Sequence, residues 1–400
     1  MPISPFLARN ARLLSFGFLL AFTSSFGQTF FISLFGDEMR TTFALSHGDL
    51  GSLYAVATLC SGACLIWAGR RIDDLDLRLY TVIACGVLAA ACLVTSATTS
   101  VATLGVAFFL LRFGGQGLMS HTSGVTMARY FSADRGKAIG IGSLGYPAGE
   151  IVMPSLGVIA IASLGWRSVW LLAAAAVLAM APVFLWLLTG HAERHRRMIA
   201  EESGHPAGKA SSGARIGVLY LLRHRPFIWR IPAILMSPCI ATALIFHQAH
   251  IADLKGWSLA WMAATFIAYA GVKAVAALIA GPIVDRVTAA AALPLFILPL
   301  GLSPILLALI DHPLGAIAYF AVLGLTGGAA STATSAIWAE LYGPSRLGSV
   351  RAVSSALAVV ASGLGPPIFG VMFDAGLGIG TVAAVSAIAV LLTTALARAA

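Results

Sequence analysis

The sequence predicts an all-α polytopic membrane protein with twelve transmembrane helices, and three observations support this fold class. The 400 residues are 59% hydrophobic and only 10% charged, whereas soluble domains carry about 25% charged residues. The apolar runs are continuous rather than alternating, which indicates spanning helices and argues against a β-barrel. The length leaves room for roughly a dozen spans of about 20 residues with short connectors.

Charged residues, glycines and prolines separate the apolar runs into two sets of six predicted spans. The first six are centred near Ala21, Leu59, Val87, Arg112, Pro147 and Ala176. The second six are centred near Cys239, Val272, Pro299, Val322, Val360 and Ile388. The polar segment between them has Gly/Ser-rich stretches typical of a flexible linker. We therefore predict an N-terminal six-helix bundle over residues 1–189, a cytoplasmic linker over 190–226 and a C-terminal six-helix bundle over 227–400.

The positive charges predict the orientation in the membrane. Of the 25 Lys and Arg residues, twenty lie near the termini, in the linker or in the even-to-odd connectors. Arg40, Arg167 and Lys255 lie in the opposite connectors, and Arg112 and Lys273 lie inside apolar runs. Because Lys and Arg concentrate on the cytoplasmic side, we predict cytoplasmic termini in a bacterial-type inner membrane. The same distribution explains the formal charge of +9 without nucleic-acid binding.

The two halves carry the signs of a duplication. Five residue identities share one displacement and fall in equivalent connectors and spans, which predicts two pseudo-symmetric bundles. The residues are Gly69, Asp73, Tyr130, Gly136 and Pro154, which recur 212 residues later as Gly281, Asp285, Tyr342, Gly348 and Pro366.

Two of these connectors resemble a known transporter signature. Gly69-Arg-Arg71-Ile-Asp73 and Gly281-Pro-Ile-Val-Asp285-Arg286 are similar to the G-x-x-x-D-R motif of the major facilitator superfamily, although Asp74 stands where Arg is usual in the first copy. Arg112-Phe-Gly-Gly-Gln116-Gly117 resembles the R-x-x-q-G motif of the same family with one residue inserted. The resemblance implies two bundles around a central cavity lined by the first, fourth, seventh and tenth spans. It also implies a cytoplasmic gate formed by Gly69, Arg71, Asp73, Gly281, Asp285 and Arg286.

Other segments resemble one branch of that family, the monocarboxylate porters and oxalate/formate-type antiporters. They are the run from Ala128 to Glu150, Trp166-Arg167, the run from Ala339 to Arg351, and Gly365-Pro-Pro-Ile-Phe-Gly-Val-Met-Phe-Asp374. The resemblance implies a functional charge in the eighth span, where Lys273 lies, and it does not identify the substrate.

Three charged residues lie deep inside predicted spans. Glu150 is about 14 residues into the fifth span, or roughly 20 Å into a hydrocarbon core of about 30 Å. Charge at such depth is costly and is retained mainly for function. We predict that Arg112 and Lys273 bind an anionic substrate and that Glu150 couples transport to protons. The alternatives are that Arg112 ties helices through carbonyls or Glu150, that Lys273 snorkels or pairs helices, and that Glu150 is the counter-ion of Arg112 or a lone protonated carboxyl.

Five further polar residues are predicted to contact the substrate: Gln28, Gln116, His121, His247 and Gln248. No carboxylate or Cys completes a metal site with His247 and His250, and the five cysteines resemble small buried hydrophobic residues. We therefore predict neither a metal nor a cofactor. The Gly and Pro residues of the run GSLGYPAGE, at 142–150, are expected to permit close helix packing.

The predicted function is a secondary active transporter, not an enzyme. It would move a small organic anion, a carboxylate, by alternating access, with protons or by exchange. The alternative is a proton-driven drug or metabolite efflux pump, against which two deep cations argue. An intramembrane enzyme based on His121-Thr-Ser123-Gly124 is disfavoured, because no general base is paired with the serine. A transporter-like sensor that binds a substrate without moving it is a further alternative. The expected partners are the anion, protons and the lipid bilayer, and the protein is expected to be a monomer.

Overall fold

The computed structural model describes residues 3–131, 134–190, 218–343 and 346–399, and these residues are almost entirely helical. Within them, eleven helices are long and apolar enough to cross a membrane, and a bent pair of helices supplies a twelfth span. The predicted all-α membrane fold is confirmed. Most of the predicted linker, residues 191–217, lies outside the described residues.

We number the spans α1 to α12. The first, α1, is the bent pair Phe6–Gly27 and Thr29–Phe43. The rest of the N-terminal half is α2 His47–Asp74, α3 Leu77–Ser96, α4 Val101–Tyr130, α5 Arg135–Leu164 and α6 Trp166–Leu187. The C-terminal half is α7 Arg225–Phe246, α8 Leu259–Val287, α9 Ala289–Leu309, α10 Leu314–Tyr342, α11 Leu347–Asp374 and α12 Ile379–Arg398. A short helix, Gln248–Leu254, follows α7.

Hydrogen bonds between connectors define the two ends of the bundle. At the end where α1 begins and α12 finishes, the Arg78 guanidinium donates to the carbonyl of Leu188 over 3.0 Å. At the opposite end, the Trp257 indole donates to the carbonyl of Asp311 over 2.7 Å. We call these the terminal end and the distal end.

The duplication extends to the way the helices begin. The side chains of Ser46 and Ser258 each accept a first-turn backbone N–H, at the starts of α2 and α8. Asp76 and Thr288 do the same at the starts of α3 and α9. Both pairs are displaced by 212 residues, the displacement found in the sequence. A cap supplies a partner to an otherwise unpaired amide, so the halves share their local start signals as well as their order of helices.

Two glycines bring α5 against α1. A Cβ on Gly145 would lie 2.1 Å from the carbonyl oxygen of Phe18, and one on Gly149 would lie 2.1 Å from the hydroxyl of Ser25. Only residues without a side chain fit such contacts, and glycines spaced four apart share one helix face. The expectation that this segment permits close packing is confirmed. The contact fixes the position of the next residue, Glu150.

The same device joins α8 and α10 in the other half. A Cβ on Gly324 would lie 2.3 Å from the carbonyl oxygen of Tyr269, and one on Gly328 would lie 2.1 Å from that of Lys273. The backbone of α8 is therefore held directly against α10 at the level of Lys273. Each of the two charged residues Glu150 and Lys273 thus sits on a helix located by a glycine contact.

We expect the substitution Gly145→Ala to destabilise the protein, because the new methyl group would overlap the Phe18 carbonyl and overpacking costs about 1–3 kcal/mol. Gly140→Ala is the matched control on the same helix, since a Cβ there meets no atom within 4 Å. Thermal unfolding in detergent measures both. Equal melting temperatures for the two variants would contradict this account of the α1–α5 contact.

Candidate functional site

The first span is broken near its middle. A bend of 42° separates its two parts, and Gln28 between them has an extended backbone with φ −88° and ψ 150°. Gly27 lies directly on α4, where a Cβ would be 2.1 Å from the carbonyl oxygen of Leu111. A break of this kind frees backbone groups, which a membrane protein must satisfy from neighbouring helices or a cavity.

The fourth span is irregular at the same place. Residues Arg112–Met119 form π-helical turns, which hold more residues per turn than an α-helix. This segment is the one in which the sequence has an extra residue before Gln116, compared with the R-x-x-q-G pattern. The wider turns absorb that insertion without ending the helix. Such π-bulges occur frequently at functional sites.

Arg112 holds the break of α1. Its side chain is buried, with 3% exposed, and its Nη1 donates to the carbonyl of Gly27 over 3.2 Å and to the Thr29 hydroxyl over 3.4 Å. The guanidinium also lies 5.2 Å from the centre of the Tyr54 ring, whose hydroxyl is 2.7 Å from that of Thr29. Arg112 therefore ties α1, α2 and α4 together through a carbonyl and a hydroxyl, which was one of the alternatives from the sequence.

Glu150 and Lys273 form an ion pair between the two halves. The carboxylate Oε1 accepts from the Lys273 ammonium over 2.7 Å, and the side chains are 10% and 33% exposed, respectively. The ammonium also lies 5.0 Å from the centre of the Tyr269 ring. Within the described residues, Glu150 Oε2 is buried without a hydrogen-bond partner. The interpretation of Glu150 as the counter-ion of Arg112 is wrong, because α5 and α8 pack at this level and Lys273 takes that place.

The remaining predicted substrate contacts do not form one cluster. Gln28 and Gln116 are half-buried near the broken region, and Gln28 donates to the hydroxyl of Ser24 over 3.3 Å. In the described part of the chain, Gln116 Oε1 is buried and has no partner. His121 lies towards the terminal end, where its Nε2 is 3.0 Å from the carbonyl oxygen of Gly69.

His247 and Gln248 lie at the distal end and are buried. His247 Nε2 is 2.8 Å from the carbonyl oxygen of Pro366, and the Gln248 amide donates to the Phe30 carbonyl over 3.1 Å and the Ser33 hydroxyl over 2.7 Å. The Gln248 contacts join the two halves. His247 and Gln248 are therefore placed to close one end of the protein, whereas Arg112, Glu150 and Lys273 lie nearer the middle of the bundle.

The two copies of the terminal-end signature differ in their ion pairs. Asp73 pairs with Arg129 at the end of α4, and Asp74 pairs with Arg71 over 3.6 Å. The partner of Asp73 thus comes from another helix, since the usual Arg beside it is replaced by Asp74. Asp285 and Arg286 are exposed, and the residue 212 positions after Arg129 is Leu341. The copy in the C-terminal half therefore lacks the equivalent of Arg129.

Sequence reasoning missed several residues that hold the site together. Tyr54 lies beside Arg112, Tyr269 lies beside Lys273, and Asp374 joins the halves at the distal end. A signal existed only for Asp374, which ends a segment that resembles the transporter branch. Tyrosines are common in spanning helices, so nothing in the sequence distinguishes Tyr54 and Tyr269.

Two duplicated six-helix halves, a discontinuous first span and a buried ion pair between the halves are the architecture of a helical membrane transporter. The family model described as Major Facilitator Superfamily matches residues 17–320, and the chain belongs to this superfamily. No curated protein matches the chain in sequence.

Among solved structures, the chain is similar to a bacterial homologue of the human lysosomal transporter Spinster in its inward-facing, unoccupied conformation. The identity is 16%, the match covers 98% of this chain and 94% of that one, and the TM-score is 0.71. The occupied inward-facing conformation of that homologue matches with 15% identity, coverage of 97% and 96%, and a TM-score of 0.73. At these identities the likeness concerns the fold.

We expect Arg112→Ala to lower the free energy of unfolding by about 1–3 kcal/mol, because it leaves the buried Gly27 carbonyl without its donor. Arg351→Ala is the control, since Arg351 also donates to a carbonyl, that of Ser335, but is exposed to solvent. Thermal unfolding of both purified variants is the measurement. If Arg112→Ala is as stable as the control, Arg112 does not support the break in α1.

Proposed function

We propose that this membrane transporter is a secondary active carrier for a small organic anion, a carboxylate, moved by alternating access together with protons or by exchange. The observation that carries the proposal is the ion pair of Glu150 and Lys273 across the two halves. It combines a cation that suits a carboxylate with an acid that can take a proton, at the interface that rearranges in alternating access.

The pair suggests how anion and proton binding are linked. Lys273 is one third exposed, so a substrate carboxylate can approach its ammonium and replace Glu150 there. Glu150 would then be a buried carboxylate without its cation, and burial disfavours the charged form. Protonation of Glu150 therefore accompanies the capture of an anion by Lys273. Release of the anion returns Lys273 to Glu150, which loses its proton.

Arg112 adds to the preference for an anion. Within the described residues it forms no ion pair with a carboxylate, so its buried charge is not neutralised by a protein acid. Because Lys273 and Glu150 neutralise each other, Arg112 leaves one net positive charge near the middle of the bundle. An anionic substrate supplies the missing charge, and a lipophilic cation is repelled. For this reason we favour an anion carrier over a drug exporter.

The closed distal end supports a state open towards the terminal end. If the termini are cytoplasmic, as the positive charges predict, this state faces the cytoplasm. The bacterial Spinster homologue, whose fold is similar, is described as inward-facing. A cytoplasm-facing state of this protein agrees with that description.

We expect Lys273→Gln to abolish uptake of carboxylates in proteoliposomes, because the substrate then lacks its cation. Lys255→Gln is the control, since Lys255 pairs with Asp311 at the edge of the distal end. Monocarboxylates and dicarboxylates of graded size serve as labelled substrates, alongside a lipophilic cation. Unchanged carboxylate uptake by Lys273→Gln would remove Lys273 from the site. Transport of the lipophilic cation alone would favour the efflux pump instead.

We expect Glu150→Gln to retain anion exchange but to lose the increase of uptake at acidic pH, since the amide cannot take up or release a proton. Glu38→Gln, at an exposed residue of the distal end, serves as the matched control. Uptake is measured in proteoliposomes with and without an imposed pH gradient. A wild-type pH profile in Glu150→Gln would assign Glu150 a structural role and exclude it from proton coupling.

A further inference from the structure

A carboxylate of the C-terminal half caps a helix of the N-terminal half. Asp374, at the end of α11, accepts the backbone N–H of His47 over 2.9 Å with Oδ1 and that of Gly48 over 2.7 Å with Oδ2. These amides belong to the first turn of α2, where unpaired N–H groups and the helix dipole favour a negative charge. The cap lies across the interface that alternating access must open.

Three histidines surround this cap. His47 begins α2, and its ring centre lies 3.8 Å from that of His250 and 5.8 Å from that of His247, both after the end of α7. His47 and His247 are buried, and His250 is half-buried. Histidines of both halves are thus in contact at the closed distal end.

The other charged groups that face the histidines are Arg40 and Asp37 from the second part of α1, Asp253 from the short helix after α7, and Asp374 from α11. Arg40 and Asp37 pair with each other over 3.3 Å. Arg40 also lines a small cavity of about 10 Å³ together with the three histidines. Protonated histidines would therefore add positive charge beside Arg40, at a site where Asp37 is paired with Arg40 and Asp374 is bonded to the amides of α2.

Burial lowers the pKa of His250 below its ordinary value of about 6.5. The closed interface therefore favours the neutral ring. The contribution of His250 to closure is fully present above its ordinary pKa, where the ring is neutral in both the closed and the open state. That contribution is lost as the pH falls below this value, because the open state then binds the proton more readily.

We infer that His47, His247, His250 and Asp374 form a pH-sensitive latch that keeps the distal end closed while the histidines are neutral and releases it as they are protonated. The inference rests on alternating access, but on neither the substrate nor the proton at Glu150. It adds a second group of titrating residues to the protein, at the predicted external end, where the pH differs from that of the cytoplasm.

The latch can be tested by measuring the opening of the distal end directly. Spin labels are attached to full-length protein, with its five native cysteines replaced by Ala, at Thr42→Cys in the N-terminal half and Leu377→Cys in the C-terminal half, two exposed positions. Double electron–electron resonance in lipid nanodiscs, without substrate, then reports the distance between the halves. We expect a longer distance to appear between neutral and acidic pH. Its population should rise about tenfold for each unit by which closure lowers a histidine pKa.

The double variant His47→Gln/His250→Gln should lose this pH response and stay closed, because the backbone amides that bind Asp374 remain. If it does not fold, the single variant His250→Gln serves, since His250 is half-buried. Asp374→Asn should raise the open population already at neutral pH. His312 is an exposed histidine of the distal end whose Nδ1 accepts from the Leu314 amide in its own connector, and His312→Gln should respond as the wild type does.

The latch would be overturned if the distance distribution of the wild type did not change with pH. It would also be overturned if the histidine variants responded to pH as the wild type does. Because no substrate is present, these outcomes are independent of carboxylate uptake. Failure of the uptake experiments with an intact pH response would reject the proposed substrate class and leave the latch in place.

Discussion

The ion pair between Glu150 and Lys273 is the interaction on which the centre of the protein depends, and it exists because two helix pairs approach more closely than side chains would allow. Gly145 and Gly149 seat α5 on α1, and Gly328 seats α10 on the backbone of Lys273 itself. In a bilayer, where lipid tails are as apolar as leucine, such close van der Waals contact drives helix association. Backbone contacts made with glycine thus locate the two charges that meet across the halves.

Composition and charge were sufficient to predict the spans, because the bilayer requires apolar stretches of a fixed length. The duplication was predicted from five residue identities at one displacement. The partner of Glu150 was not predictable, since the rotation of α8 relative to α5 depends on packing that no local pattern encodes. The inserted residue before Gln116 was visible in the sequence, but its structural meaning, a π-helical turn, was not. The break at Gln28 left only Gly27 as a sign, in a chain with 41 glycines.

The two halves are similar in their framework and different in their charges. Caps recur at the displacement of 212 residues, but the position equivalent to Arg112 is Gly324, and those equivalent to Glu150 and Lys273 are Ser362 and Ser61. Gly324 lies against the backbone of Tyr269, so one half uses this position for close packing and the other for a cation. After a duplication, one set of positions can thus preserve the fold while the polar groups diverge towards a single site.

The cap that Asp374 places on α2 has a consequence for the kinetics of the protein. The amides of His47 and Gly48 are bonded to a carboxylate that belongs to the other half, so they lose this acceptor when the halves separate at the distal end. Their exchange with deuterium should therefore become faster when that separation becomes more frequent. Deuterium exchange at these two amides thus reports on the separation of the halves without any label attached to the protein.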